Sequence, residues 1–292
     1  MNTLLKERPF QKPIYNLNER YLFVKKISVE VMKRVLITAG IHGNETASIL
    51  LAREIKGWIE GSGISNVEVL PEANKKAVES NQRNNPEDDK DLNRVFPGKK
   101  NGSDSEKIAY EIFHKAKEFD FVIDLHTYGE NRVCIPHIIS DIRKDYNRNL
   151  ASRLGIKYAI QTKMSSRQLF SEISNIGKPA VLIEICGANT IIEKDMEEVK
   201  KGLKDFIDRG KEKNTTFFDE YEKIRPSDEG YFIPAVKPGE TIEKGSKIGT
   251  IDGKVVISDV EGTVLGIQTE STYNPESDYV VSVAKTPIKN SN

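Results

Sequence analysis

Up to about residue 215, apolar runs of strand length alternate with stretches of helical periodicity, and this alternation constrains the fold more than any other feature. Runs at 34–39, 65–70, 120–125, 131–138, 156–160 and 179–185 have the length and β-branched content of strands. Helical spacing recurs at 44–60, 103–118, 140–153, 166–176 and 190–212. Strands joined through helices form a largely parallel sheet that is covered on both faces. The run "FDFVIDLH" is apolar almost throughout, as such a doubly covered strand requires. The expected fold is therefore α/β: a mixed, mostly parallel sheet with helices on both faces. Helix 103–118 places Ile108, Ile112 and Phe113 at core spacing, whereas 190–212 carries opposite charges at helical spacing and reads as a solvated face.

After "RPSDEG" the texture changes. Residues 230–286 hold short β-type runs broken by glycine turns. A boundary is expected near residue 220, with residues 1–220 forming the larger domain and 221–292 a small all-β one. The stretch "VKPGETIEKGSKIGTIDGK" followed by "SDVEGTVLGI" resembles barrel-sandwich modules of lipoyl or biotinyl type. Lys254 stands at the hairpin where such carriers are modified, but the usual flanking pattern is missing. The module is expected instead to pack on the larger domain, border its pocket and limit substrate size.

Composition excludes several function classes. Lysine plus arginine equals aspartate plus glutamate at 44 each, so no basic surplus points to nucleic acid or to an anionic membrane. The apolar runs fall far short of a membrane span. The stretch "MNTLLKERPFQKPIYNL" has charges and prolines where a signal peptide needs apolar residues. A cytoplasmic protein is expected. Cys134 and Cys186 stand apart in apolar contexts with no paired-cysteine motif, so buried free thiols are expected, and neither a disulfide nor a thiolate zinc site.

Polar groups gather at the ends of the best buried-strand candidates. "RVLITAGIHGNETASIL" closes its strand in a glycine-bearing corner with His42, and Glu45 follows three places on. "FDFVIDLHTYG" finishes with Asp124 and His126, and "KPAVLIEICG" places Glu184 late in its run. In open α/β sheets, ligands collect beyond the carboxyl ends of the strands, so three such endings point to one site. Two imidazoles and a carboxylate suit catalytic zinc, with one position left for water. Such an ion acidifies water and polarises a carbonyl. A further carboxylate must then take the water proton and return it to the leaving nitrogen, and Glu184 can fill that role. Asp124 lies two residues before His126, on the same side of the strand, where it can orient that imidazole. The polar loop "SNQRNNPEDDKDLNRVFPG" offers Arg83 and the pair Asn93–Arg94. An arginine fork can bind two carboxylate oxygens together, and one beside a metal can stabilise an oxyanion. His114 and His137 read as structural, and Gly40 and Gly43 as residues that permit a tight turn.

Together "AGIHGNE", "DLNRVFPG", "DLHTYG" and "IEICG" resemble the succinylglutamate desuccinylase/aspartoacylase family, within the wider zinc carboxypeptidase-like superfamily. The motifs occur in matching order over about residues 34–190. The resemblance implies a zinc carboxypeptidase-like sheet, one Zn(2+) per chain held by His42, Glu45 and His126, and Glu184 as general base and acid. It also implies that Asn93 and Arg94 grip a substrate carboxylate and that Arg83 polarises the scissile carbonyl. Members of the family often recruit a tyrosine or arginine from elsewhere to complete the pocket; no motif here matches one, and Tyr273 and Tyr279 are named without such support. The implied activity is hydrolysis of the amide bond of a small N-acyl amino acid or related acylated amine. A zinc carboxypeptidase acting on short peptides, or a non-catalytic protein whose β module binds a partner, stays open as an alternative. So does homo-oligomerisation.

Overall fold

The computed structural model describes residues 33–164, 166–208, 213–285 and 287. The stretch "MNTLLKERPFQKPIYNL" and residues 209–212 of the last expected helix lie outside the described residues. The first half runs β1 (Val35–Thr38), α1 (Thr46–Ser62), β2 (Val67–Leu70), α2 (Lys75–Ser80), a 3-10 turn (Leu92–Arg94), α3 (Asp104–Ala116) and β3 (Phe121–Thr127). Then follow β4 (Arg132–Cys134), β5 (His137–Ser140), α4 (Asp145–Leu154), β6 (Tyr158–Gln161), α5 (Leu169–Asn175), β7 (Ala180–Ile185), α6 (Glu193–Ile207) and β8 (Thr216–Phe218).

Seven of these strands form one sheet in the order β2-β1-β3-β7-β5-β6-β8. Neighbours are parallel except at β7–β5. The pleat sends alternate residues to two cores. Val35, Ile37, Ile123 and Leu125 face α1, α4 and α6, while Leu36, Val122 and Leu182 face α3 and α5. Helices on both faces of a mostly parallel sheet are thus observed. Gly63 and Gly155 end α1 and α4 in left-handed backbone, as helix C-termini favour.

The expected strand 131–138 is two strands. Its first part, β4, leaves the central sheet and its second part, β5, enters it. Pro136 lies at the break, where a residue with no N–H cannot serve a ladder. The six-residue α2 was not anticipated, because it is too short to show periodicity.

The remaining strands are antiparallel. They are β9 (Tyr221–Ile224), β10 (Gly230–Pro234), β11 (Thr241–Ile242), β12 (Lys247–Ile251), β13 (Lys254–Ile257), β14 (Gly262–Gln268), β15 (Ser271–Tyr273) and β16 (Val281–Ala284). One sheet runs β13-β12-β10-β15 and the other β11-β14-β16-β9, with β4 added alongside β14. Phe232, Ile248, Val264, Tyr273 and Val283 fill the space between them. Both cysteines are free and buried.

His137 opens β5 and is 1% exposed. Its Nδ1 lies 2.8 Å from the Ile135 carbonyl oxygen, a pure acceptor, so that nitrogen carries the proton. Burial pulls its pKa from the ordinary 6.5 to about 4. The folded chain therefore binds fewer protons here than the unfolded chain between those values. The associated stability is complete above pH 6.5 and lost as pH falls to about 4. At about 1.4 kcal/mol per tenfold change in proton affinity, the loss is about 3 kcal/mol. In urea titrations, the stability gap between the protein and a His137→Gln variant should narrow by about that amount from pH 7 to pH 4. A constant gap would contradict the assignment.

Candidate metal centre

The corner after β1 is shaped by two glycines. Gly40 sits at φ +67°, and a Cβ on Gly43 would lie 1.9 Å from the Ala77 carbonyl. Only a residue without a side chain lets this corner press against α2 while His42 turns inward. The Gly43 N–H donates to the Gln82 carbonyl at 2.8 Å and fixes the approach. Glu45 then forms the N-cap of α1. On the neighbouring strand, His126 stands one residue before the end of β3, in register with Glu184 on β7.

Side chains from the corner after β1, the start of α1 and the end of β3 thereby converge. His42, Glu45 and His126 each offer one ligand atom, and these atoms lie within 4.8 Å of one another, all buried. Glu45 Oε1 is 2.6 Å from His42 Nδ1, and Oε2 is 3.0 Å from His126 Nδ1. The far nitrogens are also held: His42 Nε2 lies 2.9 Å from Asp91, and His126 Nε2 lies 2.9 Å from Asp124. Thr38, at the end of β1, donates to the other Asp124 oxygen at 2.6 Å. A carboxylate on the outer nitrogen keeps the proton there and turns the inner lone pair toward a metal. Asp124 stands where the sequence placed it. Asp91 was not anticipated: it comes from the polar loop with no periodicity to orient it, and only the fold shows that it reaches His42.

The electrostatics follow from this packing. Burial opposes charge on both imidazoles, but the carboxylates outweigh it. Glu45 and Asp91 raise His42, and Asp124 and Glu45 raise His126 well above the ordinary value. Burial likewise opposes charge on Glu45, yet the two imidazoles hold it far below the usual carboxylate range. Two imidazoles sharing one buried carboxylate, each backed by a second one, form a donor set that fits a divalent cation.

Glu184 differs. Its Oε2 is buried with no hydrogen-bond partner. Burial pushes its pKa up, His126 offsets part of this, and Glu45 adds to the rise, leaving it at about 7. Arg83 reaches the same place: one guanidinium nitrogen donates to Asp91 at 2.9 Å and another lies 3.4 Å from His42 Nδ1. Asn93 is 1% exposed, accepts from the Leu169 N–H at 3.1 Å and places Nδ2 3.4 Å from His126. Arg94 is half-exposed, and its guanidinium donates to the Asn93 carbonyl at 2.9 Å. Of the eight site residues expected from the sequence, all but Asp124 line one cavity of about 390 Å³. A larger groove of about 910 Å³ beside β6 and α5 shares only its rim residues Thr162, Lys163, Met164 and Phe170.

The antiparallel sheets supply part of the cavity wall through Tyr221, Lys223 and Leu265, and the loop before β16 adds Tyr279. Arg132 and Lys223 lie over the Tyr279 ring, each 4.2 Å from its centroid. Of the two tyrosine candidates, Tyr279 lines the cavity. Tyr273 is fully buried in the β core, where its hydroxyl donates to the Pro226 carbonyl at 2.9 Å. Nothing local in the sequence marks Lys223 or Arg132 as pocket residues, since strand order alone brings them there.

The succinylglutamate desuccinylase/aspartoacylase catalytic-domain family matches residues 31–209, more than half of the chain. The chain belongs to this family. A relative within reach of sequence comparison is the N-alpha-acetyl-L-2,4-diaminobutyric acid deacetylase of Halomonas elongata, 29% identical over 195 residues. The match covers 62% of this chain and 57% of that protein, so the chain aligns with little more than half of its relative's length. Among solved structures, an aspartoacylase family protein from Mesorhizobium loti superposes with a TM-score of 0.72 at 26% identity, covering 87% of this chain and 86% of that one. A succinylglutamate desuccinylase/aspartoacylase from Rhodobacter sphaeroides gives 0.76 at 20% identity, covering 87% and 85%, and shares the fold. At 87% of the chain these superpositions reach past residue 209, so at least part of the antiparallel region is shared.

Proposed function

We propose that this family member is a zinc-dependent hydrolase that cleaves the amide bond of a small, carboxylate-bearing N-acyl amino acid. The observation that supports this most is the buried trio His42, Glu45 and His126, beside a carboxyl whose free oxygen has no partner. Zn(2+) held by these three side chains would supply Lewis acidity, polarising the amide carbonyl and making water easier to deprotonate. Glu184, poised near neutrality, takes the proton of the attacking water and passes it to the departing nitrogen. Arg83 faces the oxygen on which negative charge develops, and Asp91 keeps its guanidinium in place. Asp91 and Asp124 orient the two imidazoles.

Arg94 is the residue proposed to hold the substrate carboxylate. Asn93 ties the 3-10 turn to α5 and lies against His126, so it sets where Arg94 stands. Lys223 adds cationic character: no carboxylate pairs with it among the described residues, and burial, then Arg225 and Arg132, bring its pKa down to about 8. Such a wall favours an anionic substrate. We assign residues 1–220 to catalysis and 221–292 to closing the pocket. Among the described residues no helix is long and apolar enough to cross a membrane, in keeping with action on a small dissolved substrate.

A panel of N-acetyl and N-succinyl amino acids, their carboxamide counterparts and short peptides tests this reading by amine release. Acyl amino acids should be cleaved, and amidating the carboxylate should cost roughly 10- to 100-fold in kcat/KM, the value of a charge-assisted contact. Arg94→Ala should cost a similar factor on the acyl amino acids and almost nothing further on the carboxamides. Trimming of peptides without cleavage of any acyl amino acid would favour a carboxypeptidase instead.

A further inference from the structure

The segment that follows the ligand strand is held by the antiparallel sheets, and the contact nearest the ligands is made by one side chain. Tyr128, two residues after His126, is 8% exposed. Its hydroxyl lies 2.5 Å from Ser282 Oγ on β16. Its ring covers Gly266 on β14 so closely that a Cβ there would sit 2.4 Å from Tyr128 Cε1. The residues beyond are stitched to the same sheets. The Thr269 N–H donates to the Asn131 carbonyl at 2.8 Å, Arg132 pairs with Asp278, and β4 runs beside β14 with Cys134 opposite Gly266. The Ile135 N–H then donates to the Leu265 carbonyl at 3.0 Å. At the near end, the Thr127 N–H donates to Glu45 Oε2 at 3.1 Å. Three consecutive residues thus supply a candidate ligand, a clamp on a second ligand, and a bolt into another sheet.

We infer that Tyr128 is a positioning residue through which the antiparallel sheets set the place of His126 and of the Glu45 carboxylate. The inference rests on the proposed metal site but concerns a different link. The β module acts on the chemistry from behind the ligands as well as by walling the pocket. Tyr128 also lines the cavity, but its hydroxyl pair with Ser282 and its contact with Gly266 lie on the antiparallel sheets and fix the backbone where β3 ends. If that backbone shifts, the Thr127 N–H leaves Glu45 and the ligand atoms lose their mutual spacing. Substrate contacts made by Arg94 are untouched, so the effect falls on turnover and metal retention.

The test uses Tyr128→Phe, Ser282→Ala, the double variant and Gly266→Ala in the full-length protein. Four properties are measured: kcat and KM on a cleaved acyl amino acid, metal loss to a chelator, thermal midpoint, and amide hydrogen exchange of residues 121–135. Tyr128→Phe and Ser282→Ala should each lower kcat about tenfold, speed metal loss and raise exchange at Thr127, with KM within about twofold. The double variant should fall close to the weaker single one, because the two hydroxyls share one contact and Ser282 adds only a 3.5 Å bond to the Gly266 carbonyl. Gly266→Ala should lower kcat about 100-fold, since the ring has to move. Variants that melt earlier but keep wild-type kcat, metal retention and Thr127 exchange would overturn the inference and leave a purely structural contact. If the wild type cleaves no acyl amino acid, the proposed function fails. The exchange measurement still decides whether Tyr128 sets the end of β3.

Discussion

Replacing Glu184 by Gln should lower kcat by about 10²- to 10⁴-fold, the range expected when a general acid–base group is lost. The substitution keeps the size of the side chain and removes only its ability to carry a proton. Glu184 does not belong to the buried trio, so metal content should stay at the wild-type level. KM should change little, because Arg94 and not Glu184 is assigned to the substrate carboxylate. Stability should rise slightly or stay level: a carboxyl with a buried, partnerless oxygen is a poor contributor, and a neutral amide is easier to bury. Parallel measurement of kcat, KM and bound metal checks all three. Full activity in the Gln variant would remove Glu184 from the chemistry, and loss of metal would place it among the ligands.

His126→Ala should abolish turnover and empty the site. It should also weaken the fold, because two buried acids lose their shared partner. Asp124 is fully buried and would retain only the Thr38 hydroxyl, and Glu45 would lose one of its two imidazoles. Removing one member of a buried ionic cluster costs about 3–5 kcal/mol. Adding Asp124→Asn to His126→Ala should recover part of that loss, since an amide needs no counter-charge. Thermal unfolding of the single and double variants without metal provides the check. An unchanged midpoint in the single variant would mean that the imidazole bears little charge in the native protein.

The sequence reveals the sheet well because buried parallel strands leave a strong mark: "RVLIT", "FDFVIDLH" and "AVLIEI" all lie within observed strands or two residues of them. The same mark reveals half of the site, since His42, Asp124, His126 and Glu184 stand at the ends of those runs. Register does the rest: Asp124 and His126 share a face, and His126 lies opposite Glu184. What the sequence hides is whatever depends on a crossing between distant segments. Asp91 backs His42 across 49 positions, and the Tyr128 hydroxyl finds Ser282 across 154. Neither residue belongs to a periodic pattern that points at its partner. The 131–138 run shows the opposite failure, in which local β character is real but its two halves pair with different sheets. Lys223 is legible as a β residue and becomes a pocket residue only through the order of the strands, while Tyr279 reaches the pocket from the loop before β16.

The most direct test of the central claim is elemental analysis of the full-length protein, purified without chelator, beside Glu45→Gln prepared in the same way. Close to one equivalent of zinc per chain in the wild type, and a small fraction of that in the variant, is the predicted result. Wild-type protein that neither retains nor takes up a divalent ion, yet still hydrolyses acyl amino acids, would contradict it.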